Sequence, residues 1–322
     1  MKGFDAEFRD LDHYIRLITE RIWEGGRTED IRRYYGDPCI VETPMSVSTS
    51  IEDVVGGTYA AKAVFPDRRI LDEDVIQSGN ETVGYLSSHR GISTMTHLGD
   101  GIFGPPTGRR IHARTVADCV CIDNRIVHEW LVRDQAWIAL QIGTTPRALG
   151  QRWLNERGGW SKPPAGPVPA PYFSHISQDS LATAYAVALA QVVHGGALEV
   201  SLYDRAVQQF APGGAIHYGP FEAADFWSSV FGALRTTHFT LEHLAAQRDM
   251  AQSGRPDRVA LRFRVQALHE APAASERYGA PSGRPVELLG IVHAEFVQAK
   301  VVREWVLLDD VATWMQVLTA QS

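Results

Sequence analysis

The chain has little cysteine, no long apolar run and no excess of positive charge. Three cysteines in 322 residues, all before residue 122, cannot form a disulfide framework for the whole chain, and the default is a reduced, cytoplasmic compartment. No apolar stretch approaches the ~18 residues of a membrane span. The opening Met1-Lys2-Gly3-Phe4-Asp5 enters charged sequence directly, without the apolar stretch of a secretion signal. Lys and Arg total 31 against 38 Asp and Glu, a net charge of −7, so no nucleic-acid partner is expected, because phosphate contacts need clustered cations. What is present is ordinary globular composition, 44% apolar and 21% charged. It suffices for a full core in each of two domains of roughly 150 residues, and it excludes disorder or a fibrous repeat.

Five prolines in the nine residues Pro163 to Pro171 predict an extended, semi-rigid spacer near the middle of the chain. The halves on either side resemble each other. Ile126-Val127-His128-Glu129-Trp130-Leu131-Val132-Arg133-Asp134 matches Val301-Val302-Arg303-Glu304-Trp305-Val306-Leu307-Leu308-Asp309, 175 residues on, and Gly108-Arg109 matches Gly283-Arg284 at the same distance. Ile40 and Pro44 pair with Ile216 and Pro220 at 176, and Gly25-Gly26 pairs with Gly195-Gly196 at 170. Four matches in one order predict a duplicated domain. The expected boundaries are a first domain over 1–145, a linker over 146–175 and a diverged second copy over 176–322.

Each copy opens with a helix. Leu11, Ile15, Ile18 and Ile22 form one apolar stripe at helical spacing, mirrored by Leu181, Tyr185, Ala188 and Val192, and a double glycine stops each helix. A second short helix is expected around Thr28 to Tyr35 and Leu198 to Phe210, and a third at Ala224 to Leu234. Strands are expected over Asp74 to Gln77, Glu81 to Ser88, Arg110 to Ile122 and Arg125 to Arg133. Helices followed by an antiparallel meander predict an α+β fold with helices on one face of a curved sheet.

The run Thr96-His97-Leu98-Gly99-Asp100-Gly101-Ile102-Phe103-Gly104-Pro105-Pro106-Thr107-Gly108-Arg109 resembles the histidine- and glycine-rich turn of the SnoaL-like polyketide cyclases. Phe65-Pro66-Asp67 and Ile126 to Asp134 fit the same family. The resemblance covers roughly residues 10 to 143 and weakens over 180 to 320, where the His-Gly turn is absent. It implies two tandem cone-shaped α+β barrels, each a curved antiparallel sheet wrapped on helices, of the nuclear transport factor and ketosteroid isomerase type. It also implies that an aspartate near the end of the last strand acts as acid and base in an intramolecular aldol closure; Asp134 and Asp309 match that position. No metal or nucleotide is needed, because a carbon flanked by carbonyls is already acidic and a carboxylate in an apolar cavity can take its proton.

On the last strand His128, Trp130 and Val132 share a face with Asp134, as Arg303, Trp305 and Leu307 do with Asp309. On the preceding strand one parity is polar (Arg110, His112, Arg114, Asp118) and the other small and apolar (Ile111, Ala113, Ala117, Cys119, Cys121); the polar face of the second copy contains Glu287, His293 and Glu295. A three-residue loop at Asp123-Asn124-Arg125 would put Arg114 opposite Asp134, whereas a two-residue turn would flip the parity. The candidate catalytic residues are Asp134, Asp309, His97 and His293, and the candidate substrate-binding residues are His112, Arg114, Asp118, His128, Trp130 and Trp305. Asp134 and Asp309 read equally as strand-end caps, His97 as a loop-orienting residue and the tryptophans as cavity wall, while Cys119 and Cys121 suit packing better than zinc. The expected function is a cofactor-independent, acid–base enzyme acting on a small apolar carbonyl- or ester-bearing molecule by cyclisation, isomerisation or hydration. The alternative is a non-catalytic binding or scaffolding protein of the same fold. The two copies are expected to pair within the chain as a pseudo-dimer, leaving room for a further homodimer.

Overall fold

The computed structural model describes residues 1–172, 175–273 and 275–319. The chain divides into two compact units, one formed by Met1–Thr145 with the proline-rich stretch from Ser161, the other by Pro146–Trp160 with the chain from His175 onward.

The first unit runs α1 (Leu11–Thr19), α2 (Ile31–Tyr34), β1 (Tyr35–Glu42), β2 (Val47–Ser48), α3 (Ile51–Val64), β3 (Arg69–Asn80), β4 (Gly84–Thr96), β5 (Arg110–Ile122), β6 (Arg125–Arg133) and α4 (Gln135–Ile142). Helix starts follow side-chain caps: Asp10 accepts from the His13 N–H ahead of α1, and Ser50 accepts from the Asp53 N–H ahead of α3. The stripe Leu11, Ile15, Ile18 and Ile22 is buried as its spacing predicts. The sheet order is β2-β1-β6-β5-β4-β3. The meander β3 to β6 is antiparallel, and β1 joins β6 in parallel, so the sheet is mixed.

The second unit runs α5 (Pro146–Arg157), β7 (His175–Ile176), α6 (Ser180–Val193), β8 (Tyr203–Ala211), β9 (Ala215–Tyr218), α7 (Gly219–Phe231), β10 (Arg235–Gln247), α8 (Met250–Ser253), β11 (Asp257–Leu268), β12 (Pro285–Val297), β13 (Lys300–Leu307) and α9 (Asp310–Leu318). Its sheet order is β7-β10-β11-β12-β13-β8-β9, with two parallel pairs, β13 with β8 as in the first unit and the short β7 with β10, on either side of the meander. Both units are therefore α+β with helices and a bent, mixed sheet. Neither sheet closes into a barrel.

Two expectations change here. Residues 198–210 are not a helix: a single turn at Val200–Leu202 leads into β8, whose Val207 and Tyr203 face the core. The segment 146–175 is not one spacer, since Pro146 starts α5, whose Leu149, Trp153 and Leu154 are buried and which packs on α9.

The units repeat one plan in detail. Asp123-Asn124 and Gln298-Ala299, 175 apart, hold left-handed φ values of 47°, 65°, 50° and 60° and close two-residue hairpin turns between the last two strands. A bulge follows at the same place in each hairpin, between Val120 and Cys121 and between Glu295 and Phe296. Another falls at Asp72/Asp74 and at Leu241/His243. Strand register corrects one sequence match: Val41 pairs with Glu129 as Gln209 pairs with Glu304, so β1 maps onto β8 at 168 residues rather than 176. It also shows that the histidine turn persists. His97 and His269 each take a backbone bond to an arginine carbonyl, Arg109 or Arg284, and each ring Nδ1 meets a hydroxyl, Thr107 or Ser282.

Candidate functional site

The turn at Asp123-Asn124 has two residues, yet the extra residue of the bulge, Val127, shifts the register back. Thr115 faces Arg133, Ala117 faces Leu131 and Cys119 faces Glu129. The Asp134 N–H donates to the Arg114 carbonyl, so Arg114 does stand level with Asp134. The polar parity is nevertheless the wrong face. Because side chains alternate along a strand, Thr115, Ala117 and Cys119 with Glu129, Leu131 and Arg133 line the hollow beneath α1 and α3.

That hollow is a cavity of about 280 Å³ in the first unit. Ile15 and Ile18 of α1, with Ile22 of the π-helical turn that continues it (Glu20–Glu24), form one wall, and α3 presents Gly57, Thr58 and Ala61. These small side chains leave the space open. The polar groups are few: Glu129, Tyr35, His89, Arg68, Arg133 and Thr115 are the principal ones. Glu129 is 7% exposed and accepts one hydrogen bond, from the Tyr35 hydroxyl at 3.2 Å. Burial pushes its carboxyl up to about 7, against the smaller pull of the Tyr35 bond and the Arg133 charge. His89 is held through Nε2 by Asp72 at 2.8 Å. Arg68 is buried, donates from Nε to Ser93 Oγ at 3.0 Å, and lies over the Trp23 ring at 4.4 Å.

The residues expected to act lie elsewhere. Asp134 and Asp309 are buried N-caps of α4 and α9, accepting from the Trp137 N–H and from the Val311 and Ala312 N–H groups; Asp134 does not line the cavity. His97 is fully buried, packed on Phe65 and Phe103, and its ring orients the loop through Thr107. Asp118, His128 and Trp130 do come together on the sheet face turned from the cavity, where Ser88 donates to Asp118 and His128 stacks on Trp130 at 4.0 Å. Arg114 forks onto Glu73 at 2.8 and 2.9 Å, and His112 is exposed beside Trp137. In the second unit His293 and Trp305 are cross-strand neighbours of the matching face, Trp305 stacking on Phe210 at 5.3 Å. Sequence reasoning passed over Glu129, although Glu129-Trp130 and Glu304-Trp305 recur at one offset.

The matching interior of the second unit is filled. Tyr185 stands where Ile15 lines the cavity and Phe263 where β4 has Gly91, and α7, the counterpart of α3, buries Phe226 and Trp227. A Cβ on Gly290 would come within 2.3 Å of the Phe263 ring, so the glycine opposite makes room for it. Leu261 and Leu308 replace His89 and Arg133. The counterpart carboxylate, Glu304, is wholly buried and accepts from Tyr185, from Tyr203 at 2.7 Å, from Gln209 at 2.6 Å and from Trp227 at 3.3 Å. A carboxylate so saturated is an anchor. Among the described residues no group of three or more His, Cys, Asp or Glu is arranged to hold a metal ion, and no helix is long and apolar enough to cross a membrane.

Residues 13–142 match the SnoaL-like polyketide cyclases. None of the curated proteins compared matches the chain. Among solved structures, IdmH of Streptomyces antibioticus, a proposed polyketide cyclase, is 23% identical, with 41% of this chain and 96% of that one aligned at a TM-score of 0.36. AclR of Streptomyces galilaeus, a proposed hydroxylase, is 19% identical over 40% of this chain and 92% of its own, at 0.36. TsrD of Streptomyces laurentii is 16% identical over 42% and 98%, at 0.36.

Proposed function

We propose, from the match of residues 13–142 to the SnoaL-like polyketide cyclases, that the first unit is a cofactor-independent acid–base enzyme whose working carboxyl is Glu129. The observation that carries the reading is a single buried carboxyl, tied by one hydrogen bond, opening onto an apolar cavity. Ionised, Glu129 takes a proton from a carbon flanked by carbonyl or ester groups; the same carboxylic acid returns it to the alkoxide formed on ring closure or to the isomerised carbon. Tyr35 orients the carboxyl, and His89, fixed by Asp72, is the second group able to exchange a proton with a carbonyl oxygen. The isoleucine walls favour a small, mostly apolar substrate folded for reaction. Asp134 takes the structural role its capping bonds describe.

The saturated Glu304 favours a second reading for the other unit, a scaffolding partner without chemistry. If the two units pair within one chain, NMR relaxation gives one common correlation time; two independent ones refute the pairing.

The test is deuterium incorporation from D₂O into a panel of β-dicarbonyl esters. Glu129→Gln is expected to slow wild-type exchange by about 10²–10⁴-fold, while Asp134→Asn leaves it near the wild-type rate. Loss of exchange in the Asp134 variant alone would return the role to the capping aspartate.

A further inference from the structure

Arg68 sits just ahead of β3, in the wall of the cavity, and is 7% exposed. Its Nε is satisfied by Ser93 Oγ at 3.0 Å and the flat of its guanidinium lies on Trp23. The two Nη groups have no hydrogen-bond partner, and no carboxylate lies within ion-pair distance of them, among the described residues. Stacking and the Nε bond hold the guanidinium with its end-on fork free. A second guanidinium, Arg133, lines the same cavity. A buried cation such as Arg68, with no carboxylate beside it among the described residues, is costly unless something completes it.

The second unit supplies an independent comparison. Strand register puts Thr237 and Leu308 where the first unit has Arg68 and Arg133. Both guanidinium groups are missing from the unit whose interior is filled. A purely structural need for these cations would not track the presence of the hollow.

We propose that the ligand of this cavity carries a carboxylate, bound end-on by the Arg68 fork, with its apolar body along the isoleucine wall of α1. Two parallel N–H donors match the two oxygens of a carboxylate in plane. One anionic end then fixes which carbon of the ligand reaches Glu129. This rests on reading the cavity as the ligand site, and it refines the apolar substrate expected from sequence to an apolar acid.

The test is calorimetric titration of the full chain with 2-naphthoate and with its neutral isostere 2-naphthamide. The wild type is expected to bind the carboxylate at least about ten-fold more tightly than the amide. Arg68→Met, which keeps the stem and the contact with Trp23, is expected to erase that preference and leave amide binding unchanged. Arg68→Lys, a point charge without the fork, is expected to keep only part of it and serves if the Met variant does not fold. Equal affinities in the wild type, no binding of the carboxylate, or a preference that survives Arg68→Met or is undiminished in Arg68→Lys each overturn the proposal. Glu129→Gln separates the two claims. It is expected to keep the carboxylate preference, so a variant that retains both the preference and full exchange activity sinks the role of Glu129 alone.

Discussion

Glu129 holds its proton to higher pH in the folded chain because its surroundings offer one hydroxyl and the Arg133 charge in place of water. Its carboxyl titrates near 7 when folded and near the ordinary 4.5 when unfolded. Between those values the folded state binds more protons, so the stability it contributes is present at low pH and is lost as the pH rises through 7. Glu129→Gln, which cannot ionise, is expected to stabilise the protein above pH 7 by on the order of 3 kcal/mol and to flatten the dependence between pH 4.5 and 7, as read by urea unfolding across that range. Tyr35→Phe removes a bond to the charged form, so the midpoint of activity against pH is expected to move further up. A downward move would show that Tyr35 does not hold the carboxyl. The buried Cys119 thiol, also pushed up by desolvation, is expected to resist thiol reagents until the chain unfolds.

At the scale of elements, the end of β6 carries two different jobs five residues apart. Glu129 points into the hollow, and Asp134 closes the strand and caps α4. Asp134→Ala is expected to cost about 1 kcal/mol by loss of the cap, with Asp134→Asn costing less, and neither is expected to abolish activity. Thermal unfolding and exchange rates on the same variants check both parts. The helical stripe of α1, the hairpin of β5 and β6 and the polar and small parities of β5 were all legible in the sequence, because spacing alone sets them. Which parity faced inward was not. That depended on a two-residue turn followed by a bulge at Val127, and a bulge leaves almost no mark in composition. The physical signal was present in Ala117 and Cys119: small residues mark the hollow, while the charged parity draws the eye toward the other face. The segment 198–210 failed for a similar reason, since Leu198, Leu202 and Phe210 fit a helix while alternation of Tyr203, Val207 and Gln209 with exposed neighbours was the stronger pattern.

For the whole molecule, the two units show how one plan becomes a cavity or a solid core by exchanging side-chain volume. Ile15, Gly57, Thr58 and Gly91 line space; Tyr185, Phe226, Trp227 and Phe263 occupy it. The recurrence of elements was readable from Glu-Trp and Gly-Arg at 175 residues, but the consequence for function was not, because it needs the strand register to say which residues correspond. One ligand per chain is the expected stoichiometry. The most direct test is the titration of Glu129 itself, followed by carbon NMR of its labelled carboxyl in the wild type and in Asp134→Asn. It predicts a midpoint near 7 in both, with the signal shifting when a ligand fills the cavity. A midpoint near 4.5 that no cavity ligand perturbs would contradict it.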